Sequence, residues 1–254
     1  MTTLAVAATL GLALLVGVSL GLLGGGGAIL TVPILTAVAG VETRAAITSS
    51  LLVVGVTSAV SLVQHARAGR VRWRIGALFG AAGAVGALAG GALGGLLPAT
   101  LLMLLLAATM VAAAVAMLRR RAPAETRGAK TPSLPLVLLI GGAVGMLAGL
   151  VGGFLIVPAL VLLVGLPTGM AVGTSLMVIA MQTLVGLAAQ PGLAEVPWSL
   201  VLPFAAIAIV GALVGSALAG RIPDRILRRL FAGLVLGVAA AIVGQQLLPL
   251  LPLP

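Results

Sequence analysis

The sequence predicts an all-α polytopic membrane protein made of two inverted-topology repeats, with about ten helical segments and short broken or re-entrant helices near the midplane. Composition, a repeat at one fixed offset and the placement of positive charge predict it. Of 254 residues, 61% are hydrophobic and 7% charged, and the mean hydropathy is +1.34. Such a chain cannot cover a water-exposed surface with polar groups. The apolar runs 4–23, 75–97, 100–118 and 134–150 lack the alternation of barrel strands. Helices, which satisfy every backbone group internally, are what such runs form in lipid.

Shifting the sequence by 125 residues lays one half on the other without a gap over roughly a hundred positions. Gly24 meets Gly149, Gly27 meets Gly152, Val32-Pro33 meets Val157-Pro158, Ser50-Leu51 meets Ser175-Leu176, and Trp73 meets Trp198. Pro98 meets Pro223. Compositional bias aligns alanines and leucines but not both tryptophans and two proline pairs, so the chain reads as an internal duplication. Residues 1–118 form the first repeat, 119–133 a basic linker and 134–254 the second repeat.

Thirteen of the 14 basic residues fall in three short stretches, residues 65–74, 119–133 and 220–229. Topology accounts for a formal charge of +10 better than nucleic acid does. Stretch 65–74 is basic while its repeat equivalent, 190–199, has no basic residue; 220–229 is basic while its equivalent, 95–104, is uncharged. All three face the cytoplasm only if the second half is inserted upside down. The expectation is a multi-pass protein of the plasma (inner) membrane, its linker cytoplasmic and both termini outside. The first residues carry no basic stretch of a signal peptide and read as mature chain.

In order, the segments are 4–23, 27–40, 43–64, 75–97 and 99–118, then 134–150, 154–166, 169–189, 199–220 and 225–246. The first of each half is a continuous apolar run leading into glycines. The second follows the glycines, holds Pro33 or Pro158, and is too short for the ~20 residues of a spanning helix. Re-entrant hairpins and full crossings both fit the charge parity. The remaining three are bounded by charged loops, by Trp73 or Trp198 as interfacial anchors, and by Pro98 or Pro223.

Most of the 36 glycines read as small residues for close helix packing. Gly24, Gly25, Gly26 and Gly27, with Gly149, Gly152 and Gly153, read instead as helix breaks lining a substrate site, because broken helices in inverted halves meet near the midplane. No carboxylate lies inside an apolar segment, which disfavours a cation as cargo. Hydroxyls and an amide follow each break: Thr48, Ser49, Ser50, Thr57 and Ser58, and Thr174, Ser175, Gln182 and Thr183. With backbone N–H groups these are the donors a small oxyanion needs. Arg44 is either a snorkelling partner of Glu42 or an anion attractor at the outer end of its segment. His65 is either an interfacial histidine beside Arg67 or a proton relay.

Cysteine is absent and the methionines lack ligand spacing, so nothing calls for a metal or a cofactor. No set of catalytic carboxylates or Ser-His-Asp lies in the apolar interior, so an enzyme is not expected.

The paired "GLLGGGGAILTVPIL" and "GLVGGFLIVPAL", each followed by a Thr-Ser-Leu-like segment and a tryptophan at matching distance, resemble the two repeats of the TauE/SafE family of sulfite and organosulfonate exporters. The resemblance covers almost the whole chain. It implies a carrier of sulfur oxyanions with the Gly-Pro breaks and the Thr48-Ser49-Ser50 and Thr174-Ser175 clusters at its centre, and His65 with Gly69 in a family-typical inner segment. Gln190 stands where the first repeat has His65, so a role for that histidine is confined to one side. The partners expected are a small anion, the bilayer and a coupling ion, proton or sodium. Which anion, which coupling ion and which oligomeric state are left open. A passive anion channel and a non-transporting scaffold are the competing readings.

Overall fold

The computed structural model describes residues 3–94, 96–119, 133–151, 153–189 and 192–247. These fold as α1 Thr3–Leu23, α2 Ala28–Pro33, α3 Thr43–Arg67, α4 Trp73–Gly94 and α5 Ala99–Arg119, then α6 Leu134–Val151, α7 Ile156–Leu162, α8 Thr168–Ala188, α9 Trp198–Ala219 and α10 Asp224–Leu247. Ten helices stand where ten segments were expected. Gly152, Gln190 and residues 120–132 of the linker lie outside the described residues.

Among the described residues, five stretches are long and apolar enough to cross a membrane: Thr43–Arg67, Trp73–Gly94, Leu101–Arg119, Thr168–Ala188 and Trp198–Ala219. Large apolar side chains such as Val85, Leu139, Leu184 and Leu202 point outward, as on helices that face lipid.

The short helices are broken as well as short. Pro33 has no N–H to donate, and a widened π turn, Ile34–Val38, carries on from it. Together the two pieces rise about 16 Å, roughly half the hydrocarbon thickness. Helix α7 is prefaced by the 3₁₀ turn Gly153–Leu155. Helix α1 itself is long, since Leu14 and Val18 pack on Gly211 and Gly215 of α9 and Gly21 reaches Ser216. It runs parallel to α3: Ala13 and Val16 share an apolar cluster with Ala46 and Val53, while Gly21 meets His65 at the far end. Residues 24–42 therefore return across the molecule between two parallel helices, so the first pair is a full span plus a broken return.

Glycine sets the closest approaches. Added Cβ atoms on Gly17 and Gly21 would strike the α9 backbone at Ala208 and Ala212, and on Gly145 and Gly149 the α4 backbone at Gly83 and Ala87. Contacts four residues apart on parallel helices are small-residue packing. The α1–α9 and α6–α4 pairs exchange places under the 125-residue shift. Helices α3 and α8 are also shift equivalents and pack on each other antiparallel, with Leu51 beside Gly186, Gly55 beside Thr183 and His65 beside Gly173.

Two of the basic loops share one end of the molecule. The Arg70 guanidinium donates to Ser216 O at 3.4 Å and lies 3.4 Å from the Cβ position of Gly220. The Asp224 carboxylate accepts from the Thr168 and Gly169 N–H groups, both at 3.1 Å, and so caps the start of α8. Exposed Trp73 starts α4 at this basic end, and exposed Trp198 starts α9 at the opposite one.

Candidate functional site

The two breaks meet. A Cβ on Gly25 would lie 3.2 Å from Gly153 O and 3.6 Å from Phe154 Cα. Gly24 has φ of +70°, which favours glycine, and any side chain there would collide with the Ser175 hydroxyl. Gly27 sits against α1, its Cβ position 2.6 Å from Leu20 N and Val16 O. Gly26 faces Leu234 and Phe231 of α10.

Beside this junction lies a cavity of about 990 Å³, lined by Ile29, Val32 and Pro33 of the first break and Gly149, Gly153 and Ile156 around the second. Its walls come from the first half of α3 (Ile47 to Val54), the start of α5 (Met103, Leu106), the ends of α4 and α6, and the last three turns of α8. All of these lie toward the end opposite the basic loops. Val54 and Ile179, shift equivalents, both line it. Most of the lining is apolar; its polar side chains are Ser50, Gln182 and Thr183. Gln182 Nε2 is buried without a hydrogen-bond partner.

Of the predicted site residues, the cavity collects Pro33, Ser50, Gly149, Gly153 and Gln182. Several of the others have their hydroxyl protons committed within their own helix: Thr48 donates to Arg44 O at 3.2 Å, Ser49 to Ala45 O at 2.6 Å, and Ser175 to Val172 O at 2.7 Å. Thr57 donates to Val53 O and Thr183 to Ile179 O in the same way. Thr174 does something else, accepting the Arg72 N–H at 3.1 Å and pinning the basic loop to α8. Pro158 is buried in α7. Arg44 is exposed at the start of α3, where Glu42 accepts from the Ala45 N–H at 3.3 Å as the N-cap. His65 is fully buried rather than interfacial, its Nε2 3.1 Å from Gly21 O.

The shift equivalents of the cavity wall tell a second story. Val32, Ser50, Ala87, Leu106, Thr183 and Gly186 line the cavity, whereas Val157, Ser175, Ala212, Phe231, Ser58 and Ser61 are buried in packed structure. These six cavity-lining positions thus have packed counterparts 125 residues away.

A family model described as sulfite exporter TauE/SafE matches residues 9–242. A probable membrane transporter protein of Xylella fastidiosa (strain Temecula1 / ATCC 700964) is 34% identical over 255 residues, covering 97% of this chain and 98% of its own. A protein of the same description from strain 9a5c is also 34% identical. The probable membrane transporter protein YdhB of Bacillus subtilis (strain 168) is 27% identical over 65% of this chain and 70% of its own. No solved structure matches the chain significantly.

Proposed function

Because this chain belongs to the TauE/SafE family of membrane transporters, we propose that it is a secondary transporter exporting small sulfur-containing oxyanions, such as sulfite or organosulfonates, by alternating access around a central site. The observation that carries this reading is the pairing of an open cavity with a packed set of equivalent residues at the opposite end. A carrier opens to one side at a time, while a channel keeps its route continuous. The antiparallel packing of α3 on α8 supports an inverted repeat, and exchange of the open and shut surfaces between halves is the motion this symmetry allows.

In this reading the substrate enters between the two breaks. Gln182 offers an uncommitted amide donor and Ser50 a hydroxyl, with apolar walls that suit the carbon end of a sulfonate. The absence of a fixed charge among these cavity-lining residues lets the anion leave again. The basic end faces the cytoplasm by the positive-inside rule.

Counterflow in proteoliposomes tests the proposal, with a panel of sulfite, thiosulfate, sulfoacetate, taurine, sulfate and chloride. Saturable exchange selective for a sulfur oxyanion is the expected result. Flux unselective among anions and without counterflow supports the channel instead.

A further inference from the structure

At the shut end a group of polar side chains is buried without enough partners. Gly69, at φ +68°, closes α3 with a paired turn in which its own N–H bonds to Ala66 O at 3.0 Å and the Arg70 N–H to His65 O at 2.9 Å. That turn folds Arg70 back beside His65, and both residues lie against Gly173 at the start of α8. Gly21 O at the end of α1 receives His65 Nε2 and, at 3.5 Å, the Ser216 hydroxyl, while Ser216 O receives Arg70. Four elements are joined by this knot: the ends of α1, α3 and α9 and the loop into α4.

Much of its donor capacity is unused: Arg70 Nε and Nη1 and the Ser58 and Ser61 hydroxyls are buried with no hydrogen-bond partner. His65 Nδ1 is unpartnered too, but with the Nε2 proton given to Gly21 O it is an acceptor. Ser58, Ser61 and His65 are all fully buried and spaced to lie along one face of α3. Ser58 and Ser61 are also the shift equivalents of Thr183 and Gly186, which line the open cavity. Buried donors without acceptors cost free energy, and their succession along the last turns of α3 and its closing turn marks a site completed by something else. Burial disfavours charge on the Arg70 guanidinium and lowers its pKa from the usual arginine value, a penalty that a bound anion relieves.

We infer that Arg70, Ser58 and Ser61, with His65 tying the turn to Gly21 O, form a second oxyanion subsite, which receives substrate when the basic end opens. It rests on the carrier reading for its role and differs from the central site in bearing a fixed positive charge. A guanidinium whose Nε and Nη1 are still free suits a sulfonate or sulfate group, which accepts charge-assisted N–H bonds. The one-sided charge gives capture at the loading face, while the described lining of the open cavity carries no charged side chain.

The test uses the full-length protein with Ser58→Cys as its sole thiol, since the sequence has no cysteine. A small thiol reagent is applied from the basic face with increasing sulfate or methanesulfonate, neither of which reacts with it. The expected result is modification that both anions suppress, because an anion held at Arg70 blocks the route to residue 58. Adding Arg70→Gln should retain modification and raise the half-protecting concentration by about tenfold or more, with partial recovery in Arg70→Lys. Modification that neither anion slows, equal protection in Arg70→Gln, or no modification at all overturns the subsite. Protection without counterflow in liposomes keeps the subsite and overturns the carrier reading; counterflow without protection does the reverse.

Discussion

At the scale of single residues, what decides function is where each proton and each side chain is already committed. Thr48, Ser49 and Ser175 sit where the sequence places an anion site, yet each bonds back to its own helix and has no proton left to donate. Gln182 differs: it lines the cavity, and its Nε2 is buried without a partner. Gln182→Leu should leave the melting temperature unchanged or slightly higher, since it removes a buried unpaired group, and should raise the apparent KM for the oxyanion about tenfold. Transport assays and thermal unfolding of the same preparation check both halves of that expectation. Gly27→Val should act in the opposite way, lowering folded yield and thermal stability before any transport defect is measured, because its Cβ position is 2.6 Å from the α1 backbone. A Gly27 variant as stable as the parent, on size-exclusion profile and unfolding temperature, would contradict that packing role.

At the scale of elements, the segments are legible because an apolar run between charged loops admits little but a helix in lipid. The breaks are legible for a similar reason, four glycines and a proline being poor helix formers. Gly149 shows where that reasoning thins out. It lines the cavity, but it also presses on Ala87 in the α4–α6 contact, so one glycine serves packing and site together. Contacts between distant elements leave no local trace. Ser216, Arg70 and Asp224 escape a reading by segment because each acts on a partner far along the chain; Asp224 looks like a stray acid in a basic loop, and its role is to cap α8 from α10. The one available hint is that it is the only carboxylate in that loop. Asp224→Ala should cost about 1 kcal/mol, as loss of an N-cap does, and lower the unfolding temperature by roughly 2–4 °C for a chain of this size. A variant that unfolds with the parent would remove the cap from the account.

At the scale of the whole molecule, the proposed inverted repeat relates one structure to two states. Helix pairs exchange under the shift, equivalent helices α3 and α8 oppose each other, and a cavity at one end has a packed counterpart at the other. The repeat and its opposite charge pattern are legible from the sequence alone, whereas which end is open depends on packing free energies that no local pattern records. The most direct measurement places single cysteines at Ser50, in the open wall, and at its equivalent Ser175, in the shut one, and follows their modification from each face as an oxyanion gradient is reversed. The account predicts that position 50 reacts only from the face opposite the basic loops and position 175 only from the basic face, one rising as the other falls. Simultaneous reaction of both sites from one face, or a Ser175 site that stays inert under either gradient, would contradict alternating access.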